Sequence, residues 1–261
     1  MLLNPISSIS YLCIEINNIL NMKKGHLPIL NIFVLLVFTL PFSACLNTVD
    51  GVGPVETTNR TISSFNELVV EVPANVTIVI SDSVQCVISA QKNITDVIET
   101  TIDGDQLTII SKERFRATKP INIVLSVRSI SSLRVDGSGD INSINTIKGD
   151  ELNLNINGSG DIDVIAEVND LRTKINGSGD INISGKVSTH KGQINGSGNF
   201  LGSDLLSEET KMNINGSGDA KINAGSMLDV TIVGSGNVIY EGTPTIRTKI
   251  TGSGEVTKRK D

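Results

Sequence analysis

The chain of 261 residues is 39% hydrophobic yet only 3% aromatic, with 24 glycines, no tryptophan and a formal charge of −6. That acidic balance excludes a basic nucleic-acid binder. With so few large rings, any core must be assembled from Ile, Val and Leu, a composition that leans towards strands.

Residues 1–44 read as a targeting segment and are set aside from the fold. Met22-Lys23-Lys24 is a compact basic start, and an apolar run of about sixteen residues follows at 27–42, broken only by Asn31 and Thr39. This length suits a signal h-region and is short for a membrane span. The run closes on Phe42-Ser43-Ala44-Cys45, which resembles the lipobox of bacterial lipoproteins, with Phe42 in place of the usual Leu. That resemblance implies cleavage before Cys45, acylation of its thiol and attachment to a membrane through the lipid. Leu46 stands where some lipoproteins carry the Asp that retains them at the inner membrane, so the expected address is the outer membrane of the cell envelope. Residues 1–21 carry no basic cluster, and translation is expected to begin at Met22; a precursor that keeps Met1 would refute this. Processing removes Lys23, Lys24 and Glu15 and leaves a more acidic chain, which does not support polybasic attachment to anionic lipid. Of the three cysteines only Cys45 and Cys86 survive, and an acylated cysteine cannot pair, so no internal disulfide is expected. Cys86, within Val84-Gln85-Cys86-Val87-Ile88, reads as a small buried hydrophobe and not as a reactive thiol.

Residues 45–60 mix Asn, Thr, Gly and Pro without period and read as a flexible tether between lipid and folded part, with order beginning near Thr61. Short β-rich runs follow at 68–72, 76–80, 84–89, 97–102, 107–110 and 121–127. Asp103-Gly104-Asp105 sits between two of them as a hairpin turn would. No segment sustains a helical period, although residues 204–210 could form one helical turn.

From residue 137 the chain repeats itself. Gly-Ser-Gly occurs seven times, its glycines being Gly137 and Gly139, Gly158 and Gly160, Gly177 and Gly179, Gly196 and Gly198, Gly216 and Gly218, Gly234 and Gly236, and Gly252 and Gly254. The units recur every 18–21 residues, and Asp140, Asp161, Asp180, Asn199, Asp219, Asn237 and Glu255 come straight after them. Such periodicity means an array. On either side of each turn apolar and polar residues alternate, as in Leu152-Asn153-Leu154-Asn155-Ile156-Asn157 and Asp161-Ile162-Asp163-Val164, so each strand has one aliphatic and one polar face. The glycines permit positive φ at the bend, while the flanking Asn and Asp can bond local backbone amides. The predicted fold is therefore all-β: a right-handed parallel β-helix, or solenoid, of seven turn repeats preceded by an N-terminal strand region. Coils stacked about 4.8 Å apart would make seven of them roughly 34 Å long. A meander of hairpins is the competing architecture. Residues 185–192 and 202–210 are expected to bulge from the stack as loops. The strict six-residue beat of the left-handed hexapeptide helix is absent, which favours the right-handed form.

The order of these elements resembles the auto-transporter adhesin head domain called the GIN domain. The resemblance runs over residues 61–256, from Ile62-Ser63-Ser64-Phe65-Asn66-Glu67-Leu68 through Gly104-Asp105-Gln106-Leu107-Thr108-Ile109 to Val135-Asp136-Gly137-Ser138-Gly139-Asp140-Ile141 and its successors. It implies a secreted or lipid-anchored envelope protein of the Bacteroidetes type, with a right-handed β-helix and an adhesive role. Residues 257–261 are left as a solvated tail.

Catalytic chemistry finds little footing. After processing the only histidine is His190, in Ser188-Thr189-His190-Lys191-Gly192, which reads as a solvated loop with no metal site or Ser-His pair around it. The repeat serines, Ser138 to Ser253, lack the strand-to-helix elbow that activates a nucleophile and read as turn residues. Asp140, Asp161, Asp180, Asp219 and Glu255 could line one edge of the solenoid. They suggest either a calcium column or, as the favoured reading, carboxylates bonded to their own turn amides and diluted by Asn199 and Asn237. The Gly-Gly-x-Gly-x-Asp pattern of calcium-binding nonapeptides is absent. A β-helix polysaccharide-active enzyme would want an acid-base cluster near Arg172 or Arg247, and none stands out from the period. Sugar stacking has only Phe65, Phe115, Phe200 and Tyr240 to draw on after processing. Sequons such as Asn157-Gly158-Ser159 are corner residues of the repeat, and Asp82-Ser83-Val84 only resembles a short O-glycosylation acceptor. The sequence therefore predicts a non-enzymatic envelope lipoprotein without cofactor or metal, offering a polar surface to a glycan or protein ligand and not to nucleic acid. A periplasm-facing scaffold or regulatory lipoprotein is the alternative.

Overall fold

The computed structural model describes residues 48–260; the expected signal segment and the expected lipidation site Cys45 lie outside them. These residues form nineteen strands and one four-residue helix, α1 (Lys92–Thr95). No helix among them is long and apolar enough to cross a membrane.

The repeats build β10 (Ser132–Gly137), β11 (Asp140–Ser143), β12 (Ile147–Gly158), β13 (Ile162–Gly177), β14 (Ile181–Gly196), β15 (Phe200–Gly216), β16 (Ala220–Gly234), β17 (Val238–Gly242), β18 (Thr245–Gly252) and β19 (Val256–Lys258). Every pairing between successive repeats is parallel. A hairpin meander would pair antiparallel, so the array is a β-solenoid. Each coil has two runs: in β13, residues 162–168 and 170–177 lie in register with their counterparts in β14. Alternation does the rest. Ile162, Val164, Ala166, Leu171 and Ile175 point inwards and are buried, and equivalent residues of neighbouring coils continue the same columns. One coil cannot bury that face alone, and each enclosed Val, Leu or Ile contributes about 1.5–3 kcal/mol once stacked.

The N-terminal region is part of the same stack. Strand β3 (Glu67–Val70) pairs in parallel with β10, and β4 (Asn75–Ile80) pairs with β11. Beneath them, β7 (Gln106–Ser111) and β9 (Asn122–Val127) pair in parallel with β3 and β4. Two rungs are thus laid down out of chain order. Antiparallel strands then close this end: β6 (Ile98–Asp103) lies on β7, β5 (Gln85–Gln91) on β9, and β2 (Val55–Arg60) on β5. The β6–β7 hairpin turns at Gly104, whose φ of 58° suits glycine, as its sequence predicts. Cys86 faces inwards from β5 and is buried, and burial pushes its thiol pKa up, partly offset by the charge of Arg60.

Several local expectations are corrected. Residues 49–60 are no flexible tether: β2 pairs over its full length with β5, and β1 (Val49–Asp50) pairs with β8 (Phe115–Arg116). Buried Gln91 ties this segment down, donating to the Gly53 carbonyl at 3.2 Å and accepting from the Thr118 amide at 3.1 Å. Residues 185–192 and 202–210 stay within β14 and β15, the extra residues being absorbed as register shifts at 182/185, 202/206 and 207/209. The helical turn expected at 204–210 is accordingly strand, since its apolar residues meet the neighbouring coil. The tail is also shorter than expected: β19 reaches Lys258, and the Arg259 amide donates to the Tyr240 carbonyl at 2.8 Å.

Candidate functional site

The Gly-Ser-Gly corner is fixed by its neighbours along the stack. The first glycine has φ between 127° and 144° in all seven units, a region side chains rarely adopt. Its carbonyl accepts both the Ser and the second Gly amide of the next corner, as in Ser159 and Gly160 to Gly137 at 2.8 and 3.1 Å. The second glycine leaves no room for a side chain: a Cβ at Gly160 would lie 2.0 Å from the Gly139 oxygen, and one at Gly179 would lie 2.0 Å from that of Gly160. The serine between them points to solvent.

Two polar columns flank the corners. Before it, Asn176 donates to Asn157 at 2.8 Å, Asn195 to Asn176 at 2.8 Å and Asn215 to Asn195 at 3.0 Å, with Asn157 donating to Asp136 at the start. After it, Asp140 accepts the Asp161 amide at 3.0 Å, Asp161 the Asp180 amide at 2.7 Å, and Asp180 the Asn199 amide at 2.8 Å. Asn199, Asp219 and Asn237 extend the column to Asp219, Asn237 and Glu255. The favoured turn reading is thereby corrected: each carboxylate bonds the amide of the next coil, not its own. Asn199 and Asn237 also donate their side-chain amides to Asp180 and Asp219, which spaces the charges. Among the described residues no three acidic, His or Cys side chains converge as metal ligands would.

His190 is another correction. It is 1% exposed, not a solvated loop residue; it stacks on Phe200 with ring centroids 4.5 Å apart, and its Nε2 lies 2.9 Å from the Thr173 hydroxyl. Burial drives its pKa down to about 3, so the ring is neutral near pH 7. It occupies the inward position held by Leu171 below and Thr210 above.

The chemically distinctive surface is the outer face of the runs that lead into the corners. Arg172, Lys191 and Lys211 stand in one column on three successive coils, and Lys174, Gln193 and Asn213 stand in the next. Between the columns lies a shallow groove of about 350 Å³ floored by backbone at Leu154, Thr173 and Gly192. Arg172 pairs with Glu151 at 3.3 Å, whereas Lys174, Lys191 and Lys211 have no carboxylate within ion-pair distance among the described residues. At one end the Oδ1 of Asn155 is shielded from solvent without a hydrogen-bond partner. Arg247 lies farther along the Arg172 column, beyond Asp229. Sequence reasoning singled out Arg172 but missed the lysines. The signal was present, since a cation stands five residues before the first glycine in three consecutive repeats.

Comparison with known proteins agrees with this architecture. The family described as "Putative auto-transporter adhesin, head GIN domain" matches residues 64–244. A solved structure of a "putative adhesin" from Bacteroides fragilis superposes with a TM-score of 0.76 at 20% identity, covering 81% of this chain and all of its own. A "putative lipid binding protein" from Parabacteroides distasonis superposes at 0.70 with 26% identity, covering 82% of this chain and all of its own. A "putative adhesin" from Parabacteroides merdae gives 0.68 at 24% identity with the same coverage. No curated protein matches the chain.

Proposed function

Because the chain belongs to the family described as "Putative auto-transporter adhesin, head GIN domain", we propose that it is a non-enzymatic envelope protein, held by lipid on Cys45, whose solenoid presents a binding surface to ligands outside the cell. The observation that carries this reading is the outer face of 151–157 and its counterparts, where side chains repeat coil after coil beside a groove. Such a face is rigid, because the runs leading into the corners pair residue by residue with those of the next coil, and little ordering entropy is left to lose on binding. The residues that could suggest chemistry are otherwise engaged. The Asp column bonds backbone amides, and His190 is buried and neutral. The solenoid interior is filled by packed side chains, most of them aliphatic, so a ligand, lipid or otherwise, has to sit on the outside.

Protease shaving of intact cells tests the proposal. Loss of the protein while a periplasmic marker survives is the expected result. Survival on intact cells, with cleavage after lysis, would place the solenoid on the periplasmic side and overturn the adhesive role.

A further inference from the structure

We infer that the groove between the Arg172 and Lys174 columns is a binding site for an anionic polysaccharide chain, laid along the solenoid axis. The inference deepens the proposed function and rests on it only in taking the outer face as the binding face. Three observations carry it. The first is charge: in a protein of net charge −6, Arg172, Lys174, Lys191 and Lys211 cluster on three adjacent coils, and the three lysines lack carboxylate partners. Exposed like charges stacked about 4.8 Å apart repel one another, and a bound polyanion relieves that repulsion. Asp170, Glu209 and Asp229 border the patch in neighbouring register positions and moderate it without forming ion pairs.

The second is shape. The groove crosses successive coils, and the coil rise is close to the length of one pyranose ring in an extended chain. The same side-chain position is therefore offered to successive sugar units, as a repeating polymer requires. The third is the remaining chemistry of the walls. Asn153, Asn155, Gln193 and Asn213 supply amide donors and acceptors for hydroxyl groups. No aromatic ring lines the groove. Base stacking thus has no platform, which favours a sugar acid over a single-stranded nucleic acid.

The test is native affinity electrophoresis of the full chain in nonionic detergent, through gels containing polygalacturonate, dextran sulfate, fully methyl-esterified polygalacturonate or a single-stranded oligonucleotide. Retardation by polygalacturonate or dextran sulfate that weakens with salt is expected. The combined variant K174A/K191A/K211A should bind about tenfold more weakly. K112A/K148A/K221A removes the same charge elsewhere and should bind as the parent does. Equal weakening by the two variants would reduce the effect to net charge and overturn the site. Retardation by neither polyanion, or equal retardation by the methyl ester, or stronger binding of the oligonucleotide, would overturn the ligand class. The outcome is separable from protease shaving: a protein that binds polyanion yet resists shaving keeps the groove's ligand and loses only the extracellular address.

Discussion

At the residue scale the corner sets the strictest demands. The first glycine of each unit is required by its positive φ and, from Gly158 onward, by a carbonyl oxygen 2.1–2.2 Å from where its Cβ would be; the second is required by such an oxygen alone, at 2.0–2.4 Å. Gly179→Ala is expected to cost about 3 kcal/mol or more, because backbone and not a flexible side chain must give way. Ser178→Ala should stay within about 0.5 kcal/mol, and urea unfolding of the two variants measures the contrast. His190 makes a second prediction. Its pKa is about 3 when folded and ordinary when unfolded, so below about pH 6.5 the unfolded chain takes up a proton that the folded chain refuses. Stability is therefore intact above that pH and falls as pH drops towards 3, by about 2 kcal/mol between pH 7 and 5. Melting temperatures across that interval check the slope, which should flatten in His190→Leu. The glycines were legible because a clash repeated seven times leaves a repeated motif. The burial of His190 is masked in the sequence by its polar neighbours, although its parity matches the inward position of Leu171.

At the scale of elements, strand alternation was enough to locate nearly every run between 67 and 127 within a few residues. It could not show which strands become neighbours. That β3 lies between β7 and β10 depends on contacts among residues 39 and 65 positions apart, and no local pattern encodes them. Strand β2 was invisible for a related reason: Val55-Glu56-Thr57-Thr58-Asn59-Arg60 has almost no apolar face, being an edge strand with solvent on one side. Its anchor is Arg60, whose guanidinium donates to the Thr95 and Ile98 carbonyls at 2.8 and 2.7 Å. Arg60→Ala should cost about 2 kcal/mol, within the range for charge-assisted bonds to partly buried carbonyls. Calorimetric melting reads this loss, and Arg60→Lys should recover only part of it, since one ammonium cannot reproduce the fork. The lysine groove, like the choice of strand neighbours, is assembled by stacking. Its three cations are spread over 38 residues of chain and meet only when coils stack.

For the whole molecule the two ends are unlike. At the N-terminal end three antiparallel strands cover the first rungs. At the other, β18 is exposed at every position, with the inward-pointing Ile246 and Ile250 at 37% and 40% exposure. In a stack held by nearest-neighbour contacts, the coil with a single neighbour is the weakest. Amide hydrogen exchange should follow that order: fastest in 245–258, slower through β16 and β15, and slowest in the rungs near β3 and β10. Uniform protection along the axis would show a single cooperative block. Opening from one end alone turns the stack into a zipper with a fixed stop. Tension or proteolysis entering at the last coil would peel the molecule one turn at a time, reaching the groove only after the outer turns had been spent.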